Sequence, residues 1–283
     1  MKIKGQIIKN ISDNFEVSID EKVITCKCRG KFRNNKQTLL VGDFVLIDEN
    51  SKTIEELLPR KNELIRPRVS NITQGLIITS FKNPDFSTNL LDKFITLLEI
   101  NHIKPVICLT KKDLITNDFN KFTGIIDYYK KIGYAVVENT EVNKIKKLLE
   151  NNVTVFMGQT GAGKSTLLNK LFEDLNLKTG EISLALGRGR HTTRHIEIFL
   201  KDNMKVLDTP GFSALDFLSF SRDDIKNSFR EFSQYSCKYS DCMHLKEEDC
   251  LVKEAVERKE ILLSRYLNYK SFIEEFDCKG RLR

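Results

Sequence analysis

The stretch GQTGAGKST at residues 158–166 constrains the fold more than any other part of the chain. It follows the apolar run VTVFM and precedes a helical run, which is the context of a GxxxxGK[ST] phosphate loop. Its glycines let backbone N–H groups turn toward phosphate oxygens, and the positive end of the next helix adds to the attraction. We expect Lys164 to bridge the β- and γ-phosphates of a nucleotide and the Ser165 hydroxyl to bind Mg²⁺. The predicted phosphate-binding residues are Gly158, Gln159, Thr160, Gly161, Ala162, Gly163, Lys164, Ser165 and Thr166.

Two further motifs favour guanine as the base. The run KVLDTPGF contains Asp208, which can hold Mg²⁺ through water, and Gly211, whose amide can contact the γ-phosphate. The run PVICLTKKDL ends in a [NT]KxD pattern, whose carboxylate can accept two hydrogen bonds that guanine offers and adenine does not. This guanine box comprises Thr110, Lys111, Lys112 and Asp113. Taken alone, this pattern is more typical of a capped turn than of a guanine site. Together with the phosphate loop and DTPG it favours guanine.

The order of these motifs is unusual, because the guanine box precedes the phosphate loop instead of following it. A circular permutation moves the chain ends and keeps the spatial site. We therefore predict a circularly permuted α/β GTPase domain. The segment after Gly211 leads into a cysteine-rich region, and we hypothesise that this connection relays the nucleotide state to that region.

The stretch GRGRHTTRH, at residues 187–195, predicts a switch loop in which Thr192 or Thr193 brings a hydroxyl to Mg²⁺ and the γ-phosphate. Its arginines, Arg188, Arg190 and Arg194, could contact RNA phosphates, or one could stabilise charge during hydrolysis. A basic solvated hairpin is the alternative. Phe212 stands where GTPases carry a water-orienting Gln, so we expect slow intrinsic hydrolysis. The predicted catalytic residues are Lys164, Thr192, Thr193, Asp208 and Gly211, with the partner of the attacking water left open.

Residues 1–68 predict a small barrel of the oligonucleotide-binding type. Five short strand-like runs, KGQIIKNI, NFEVSI, KVITCKCRGKFR, LLVGDFVLI and KTIEELL, are separated by turns. The third run alternates between an apolar face and a basic face, which is a plausible contact for an RNA backbone. The predicted RNA contacts are Lys27, Arg29, Lys31, Arg33 and Lys36. A solvated outer face is the alternative.

Residues 69–220 predict the α/β GTPase domain. Candidate strands are QGLIITSF, KPVICLT, YAVVEN, VTVFMG, HIEIFL and MKVLDT, and a helix is expected from Ser87 to Ile100. The residues expected on its buried side are Leu90, Leu91, Phe94, Ile95, Leu97 and Leu98. The base-side loop is indistinct, and we place it near Asn139 and Thr140.

Residues 221–283 predict a helical domain around the run CKYSDCMHLKEEDC. Cys237, Cys242, His244 and Cys250 supply three thiolates and one imidazole, a donor set that suits a closed structural Zn²⁺ site. Three reduced cysteines and an unrelated histidine are the alternative, which their density disfavours. Ser221, followed by two aspartates, predicts a helix start.

Composition supports a cytoplasmic location. The seven cysteines favour metal binding over a disulfide framework, and no apolar run approaches the length of about 20 residues that a membrane span needs. The start of the chain lacks the apolar core of a signal peptide. The net charge of +7 suits a polyanionic partner, although many basic proteins have none.

The permuted motif order, with the barrel before it and C-x4-C-x-H-x5-C after it, resembles the bacterial ribosome small subunit-dependent GTPase A family over essentially the whole chain. The resemblance implies GTP/GDP with Mg²⁺, one structural Zn²⁺, and a monomer in late assembly of the small ribosomal subunit. It implies that the barrel and the zinc domain contact ribosomal RNA, that the subunit stimulates hydrolysis, and that ribosome-binding factor A is released. Thr110 replaces the commoner Asn, and no His lies between Gly211 and His244 to serve in catalysis.

Three other functions are open on the residues. The first is a zinc-containing RNA-binding module whose nucleotide site is structural, which Lys164 and Asp208 disfavour. The second is a P-loop ATPase or kinase, which the guanine box disfavours. The third is a permuted GTPase for another RNA target, and only the family resemblance speaks against it.

Overall fold

The computed structural model describes residues 2–11, 14–20, 22–28, 32, 38–65, 67–115, 119–172, 196–208, 217 and 219–280. The chain forms two compact units. The first comprises Met1–Leu76, Thr140–Met157 and Lys164–Phe212, and the second comprises Ile77–Asn139, Gly158–Gly163 and Ser213–Arg283. Within the described residues, no helix is long and apolar enough to cross a membrane. The predicted domain bounds at residues 68 and 220 stay a prediction.

The N-terminal strands of the first unit close into a five-stranded barrel. They are β1 (Lys2–Ile11), β2 (Asn14–Ile19), β3 (Lys22–Cys28), β4 (Phe44–Asp48) and β5 (Thr53–Leu57). Strand β1 pairs with both β2 and β4, and β3 pairs in parallel with β5, so the order β1-β2-β3-β5-β4 returns to β1. Ile7, Val17 and Ile47 fill the interior and are fully buried. This confirms the predicted barrel, and Gly42, at φ +98°, makes the turn before β4.

The barrel sheet continues into the α/β part of the first unit. Strand β1 pairs with β12 (Glu197–Lys201), which forms a hairpin with β13 (Met204–Asp208), and β13 runs parallel to β11 (Val153–Met157). An ion pair of 2.8 Å between Lys9 Nζ and Glu197 Oε2 accompanies the first of these pairings. The other elements of this unit are β6 (Glu63–Ile65), β7 (Arg68–Ser70), α3 (Val142–Leu149) and α4 (Lys164–Leu171).

The second unit contains the sheet order β10-β9-β8, with β9 (Lys104–Thr110) and β10 (Ala135–Glu138) in parallel. Strand β8 (Gln74–Ser80) leads into α1 (Thr88–Ile100), and α2 (Asn120–Lys131) precedes β10. The Ser87 hydroxyl accepts a hydrogen bond from the N–H of Leu90 and so caps α1, whose bounds agree with the helix predicted from Ser87 to Ile100. Leu91, Phe94, Ile95 and Leu98 are buried, whereas Leu90 and Leu97 are only half-buried, so the predicted apolar face was too wide.

The C-terminal part of the second unit is helical around the cysteine-rich loop. Its elements are α5 (Arg222–Asn227), a 3₁₀ turn (Arg230–Gln234), α6 (Leu251–Glu257) and α7 (Leu263–Gly280). Ser221 starts α5 with a capping box to Asp224, which confirms the predicted helix start. Phe229, Tyr269 and Phe272 form the centre of its aromatic core and are at most 1% exposed.

A buried ion cluster joins α1, the 3₁₀ turn and α7. The guanidinium of Arg265 donates to Asp92 Oδ1 at 2.7 Å and to both Glu231 oxygens at 2.8 and 3.0 Å. Tyr129 and Asn268 also donate to Asp92. All three charged side chains are at most 2% exposed, so their mutual contacts replace the water that they lose on folding.

Candidate nucleotide and metal sites

The predicted phosphate loop has the backbone that its glycines allow. It follows β11, whose five residues are all buried, and three of its glycines have positive φ: Gly158 at +140°, Gly161 at +81° and Gly163 at +101°. A Cβ on Gly158 would lie 2.1 Å from the carbonyl oxygen of Ile78, so only glycine fits there. Residues other than glycine rarely adopt these φ values, which explains why the motif needs glycine at these positions.

The guanine box and the phosphate loop meet at Thr110. Its hydroxyl donates a buried hydrogen bond of 2.6 Å to the carbonyl of Ala162, and a Cβ on Gly163 would lie 3.8 Å from the Thr110 methyl group. Two motifs that lie far apart in the sequence therefore come together in the second unit. This contact also gives a physical role to the threonine that stands at the first position of the box.

Lys111 follows in an unusual conformation. Its φ is +58°, in the left-handed region that costs a lysine free energy, and its ammonium donates to the carbonyl oxygen of Asn83. Asp113 lies in the 3₁₀ turn Lys112–Ile115 with an exposed side chain, open to a base. The sequence did not single out Asn83, because it belongs to no nucleotide motif.

Lys112 fastens the box to the neighbouring strand. Its ammonium lies 2.6 Å from Glu138 Oε1 at the end of β10 and 4.4 Å from the ring centroid of Phe119. Asn139, which follows Glu138 in the chain, donates its N–H to the carbonyl of Leu109 at 2.9 Å. The stretch that we predict as the base-side loop thus starts beside the strand that carries the guanine box.

Lys164 and Ser165 open helix α4 and are half-buried, whereas Thr166 is exposed. Asp208 ends β13, and its backbone lies opposite Phe156 near the end of the parallel strand β11. The hydroxyl predicted to bind Mg²⁺ and the backbone of Asp208 both belong to the first unit, at or after the carboxyl ends of β11 and β13. Such ends are where α/β proteins bind nucleotides.

Several predicted residues lie outside the described part of the chain. They are the switch and catalytic residues Thr192, Thr193 and Gly211, and the predicted RNA contacts Arg29, Lys31, Arg33, Lys36, Arg188, Arg190 and Arg194. Among the barrel contacts, Lys27 is described and exposed, while Cys26 next to it is fully buried. This part of β3 therefore has the two faces that its alternation predicts.

The four predicted zinc ligands converge. One donor atom from each of Cys237, Cys242, His244 and Cys250 lies within 4.8 Å of all the others. His244 Nδ1 is 3.6, 3.4 and 3.4 Å from the three sulfurs in that order, and the sulfurs of Cys237 and Cys250 are 3.8 Å apart. The other cysteines are dispersed, with Cys26 and Cys108 buried and Cys278 exposed. The convergence is what a tetrahedral metal site requires.

Hydrogen bonds hold the cysteine-rich loop in place. The Glu247 carboxylate accepts the backbone N–H groups of Met243, Leu245 and Lys246 at 2.7–3.0 Å. Burial would raise the pKa of Glu247, but these N–H groups outweigh it and lower the pKa. Tyr266 donates to the carbonyl of His244 at 2.8 Å. The sequence predicted the ligands but not Glu247, whose role comes from the folded turn.

When no metal is bound, the surroundings of Cys242, His244 and Cys250 favour the neutral forms of these three side chains. Burial raises the pKa of Cys242 to about 12 and that of Cys250 above its ordinary value. Burial also lowers the pKa of His244, as does nearby Lys226, so its imidazole is neutral at physiological pH. Binding of a metal ion would therefore displace protons from the thiols.

Two family models match this chain, one at the N-terminal barrel and one over the segment that follows it. The RsgA GTPase family model matches residues 57–218, and the RsgA N-terminal domain model matches residues 4–54. The chain belongs to the RsgA GTPase family. "Small ribosomal subunit biogenesis GTPase RsgA" from Enterococcus faecalis is 45% identical over 97% of this chain and 96% of its own length. The protein of the same name from Bacillus velezensis is 46% identical over 96% of this chain and 97% of its own length.

Two solved structures share the fold. YjeQ from Thermotoga maritima has a TM-score of 0.85 and 32% identity, covering 98% of this chain and 99% of its own. YloQ, described as a circularly permuted GTPase, has a TM-score of 0.83 and 38% identity, covering 99% of this chain and 96% of its own. The predicted permutation is thereby confirmed, and family membership confirms that the chain is a GTP-hydrolysing enzyme.

Proposed function

We propose that this chain is a GTPase that acts in biogenesis of the small ribosomal subunit, and that the subunit stimulates its hydrolysis of GTP. The proposal is supported by relatives of that name that match nearly the whole length of the chain. In the structure, the observation that carries it is the contact between Thr110 and Ala162, because it joins a guanine box to a phosphate loop. A nucleotide can then be held by its base and its phosphates together.

In the proposed site, the amides of residues 158–163 bind phosphate oxygens, Lys164 binds the β- and γ-phosphates, and Asp113 reads guanine. The hydroxyl of Ser165 and the carboxylate of Asp208 are hard oxygen donors, which fit Mg²⁺. When bound, Mg²⁺ would neutralise charge on the phosphates. The roles of Thr192, Thr193 and Gly211 are proposed from the sequence motifs alone.

The zinc proposal is supported by the donor geometry. A tetrahedral site with Zn–S bonds of about 2.3 Å has sulfur–sulfur edges of about 3.8 Å, and Cys237 and Cys250 are 3.8 Å apart. Three thiols and one imidazole without an open position favour a structural ion over a catalytic one. The four ligands would tie the loop before α6 to the aromatic core of the C-terminal helices.

Ribosomal RNA is the proposed partner. Exposed Lys27 on the barrel and the net charge of +7 support it, since basic groups attract an RNA backbone. We extend the proposal to the other basic residues named from the sequence, to a monomer in the cytoplasm, and to release of ribosome-binding factor A. These finer points rest on the family resemblance.

Co-sedimentation with purified small ribosomal subunits tests the partner. We expect the chain to pellet with the subunits in the presence of a non-hydrolysable GTP analogue and to be released with GDP. Binding should weaken as salt rises, because RNA contacts release counterions. Equal amounts of the chain in the pellet with both nucleotides would contradict a nucleotide-controlled role. Absence of the chain from the pellet with both nucleotides would indicate another RNA target.

A further inference from the structure

The loop between β8 and α1, at residues 81–87, lies beside both the guanine box and the phosphate loop. We call it the support loop. The carbonyl of Asn83 accepts the ammonium of Lys111, and Pro84 Cδ lies 3.7 Å from the position that a Cβ on Gly161 would occupy. None of its residues belongs to the phosphate loop, the guanine box or the DTPG motif, yet it bonds to the guanine box and lies beside the phosphate loop.

One buried side chain holds the tip of this loop. The hydroxyl of Ser80, at the end of β8, donates a hydrogen bond of 2.6 Å to the carbonyl of Pro84. Ser80 is 2% exposed, so a broken bond would not be replaced readily by water. The bond spans the segment that contains Asn83, and it therefore restricts where the carbonyl that receives Lys111 can lie.

Aromatic packing fixes the base of the support loop. Phe81 lies 5.1–6.1 Å, between ring centroids, from Phe86, Phe119 and Phe122. Its N–H also donates to the carbonyl of Thr110 at 3.2 Å, which ties the loop to the strand of the guanine box. With the base anchored in this way, the Ser80 bond restrains the tip, at Pro84, from within the protein.

We propose that Ser80 is a positioning residue for guanine nucleotide, acting through Pro84 and Asn83 on the ammonium of Lys111. A lysine side chain loses much conformational freedom when it is fixed against a ligand, and a site that already holds it binds more tightly. The inference rests on the proposed nucleotide-binding role of Lys111. Ser80 lies outside the nucleotide motifs, and its effect is on nucleotide binding and not on the chemical step.

The test is the affinity of the Ser80→Ala variant of the full chain for GDP, measured with a fluorescent GDP analogue. We expect the Kd to rise about three- to tenfold, as loss of one hydrogen bond predicts. The KM for GTP should rise by a similar factor while kcat stays unchanged, because the loop touches no group that reacts. Ser80→Cys, which keeps a weak donor, should lose less affinity.

Ser70→Ala is the matched control. Ser70 is fully buried and its hydroxyl donates an equally short bond of 2.6 Å, to Asp43 Oδ1 in the first unit. Both variants lose one buried serine hydrogen bond, and Ser70→Ala should lose at least as much stability as Ser80→Ala because its acceptor is a carboxylate. Only Ser80→Ala should lose affinity for GDP, and an equal loss in Ser70→Ala would reduce the effect to general destabilisation and overturn the proposal.

A double-mutant cycle shows whether Ser80 acts through Lys111. In a Lys111→Met background, we expect Ser80→Ala to change the Kd for GDP less than twofold, since the group that it positions is gone. The same factor in both backgrounds would overturn the inference while leaving the nucleotide site intact. A wild-type chain that binds no GDP would overturn the proposed site and this inference together.

Discussion

Replacement of Arg265 by methionine should show how much the buried ion cluster contributes to stability. The guanidinium is fully buried between two carboxylates, Asp92 on α1 and Glu231 on the 3₁₀ turn. Burial opposes its charge, but Asp92 and Glu231 outweigh burial and raise the pKa of Arg265 above its ordinary value. Methionine fills much of the same volume and leaves both carboxylates without their cation.

The expected cost is large because the partners cannot reach water. Removing one member of a buried, hydrogen-bonded ion cluster costs about 3–5 kcal/mol of unfolding free energy. In a chain of about this size, each kcal/mol of lost stability lowers the Tm by about 2–4 °C. The expected loss in Tm is therefore about 6–20 °C. Thermal and urea unfolding followed by circular dichroism measure it.

Arg222→Met is the control. Arg222 makes a bidentate contact to Asp277 at 2.7 and 2.5 Å, but its side chain is 49% exposed. An exposed pair contributes about 0–1 kcal/mol, so its Tm should fall by less than about 4 °C. Equal losses in the two variants would refute the reasoning that burial makes the Arg265 cluster costly to break.

The deficit of Arg265→Met should also depend on pH. Burial raises the pKa of Asp92, and Arg265 is the largest influence that lowers it. Without Arg265 that pKa rises further, so the stability that Asp92 contributes is present at low pH and is lost as pH rises through its folded-state pKa. The difference in Tm from wild type should be larger at pH 8 than at pH 5.

Three further predictions concern the proposed sites. Thr110→Val removes the buried hydrogen bond to the carbonyl of Ala162 and should weaken GDP binding about tenfold in the same fluorescence titration, and an unchanged Kd would contradict this role. Asp113→Asn should transfer preference from GDP to xanthosine diphosphate, because an amide can donate to the xanthine oxygen; a variant that still prefers GDP would exclude Asp113 from base recognition. Cys250→Ser should bind zinc more weakly in a chelator competition and lower the Tm, and retained affinity would rule out the proposed ligand set.

Much of the architecture could be predicted because its signals are local. The apolar runs before residues 110, 158 and 208 became strands, and the glycines of the phosphate loop took the positive φ values that the motif needs. The cysteines and His244 are close in sequence, so their convergence needs only one loop to turn. Patterns of this kind record backbone preference and side-chain period.

Contacts between distant residues could not be predicted in this way. Asp92 lies on the apolar face of α1 and would read as a misplaced charge until Arg265, from the far end of the chain, is seen beside it. Ser80 and Asn83 carry no motif, since their role depends on where Lys111 points in the folded chain. The burial of Leu90 and Leu97 was overestimated, because periodicity shows which face of a helix is apolar but not how much of that face its neighbours cover.

The most direct test of the proposed function is the rate of GTP hydrolysis by the purified chain with and without small ribosomal subunits. We predict slow turnover alone, a rise of orders of magnitude with the subunits, no use of ATP, and loss of the stimulated rate in Lys164→Ala. The same GTP turnover with and without subunits would contradict the account, leaving a GTPase whose partner lies elsewhere.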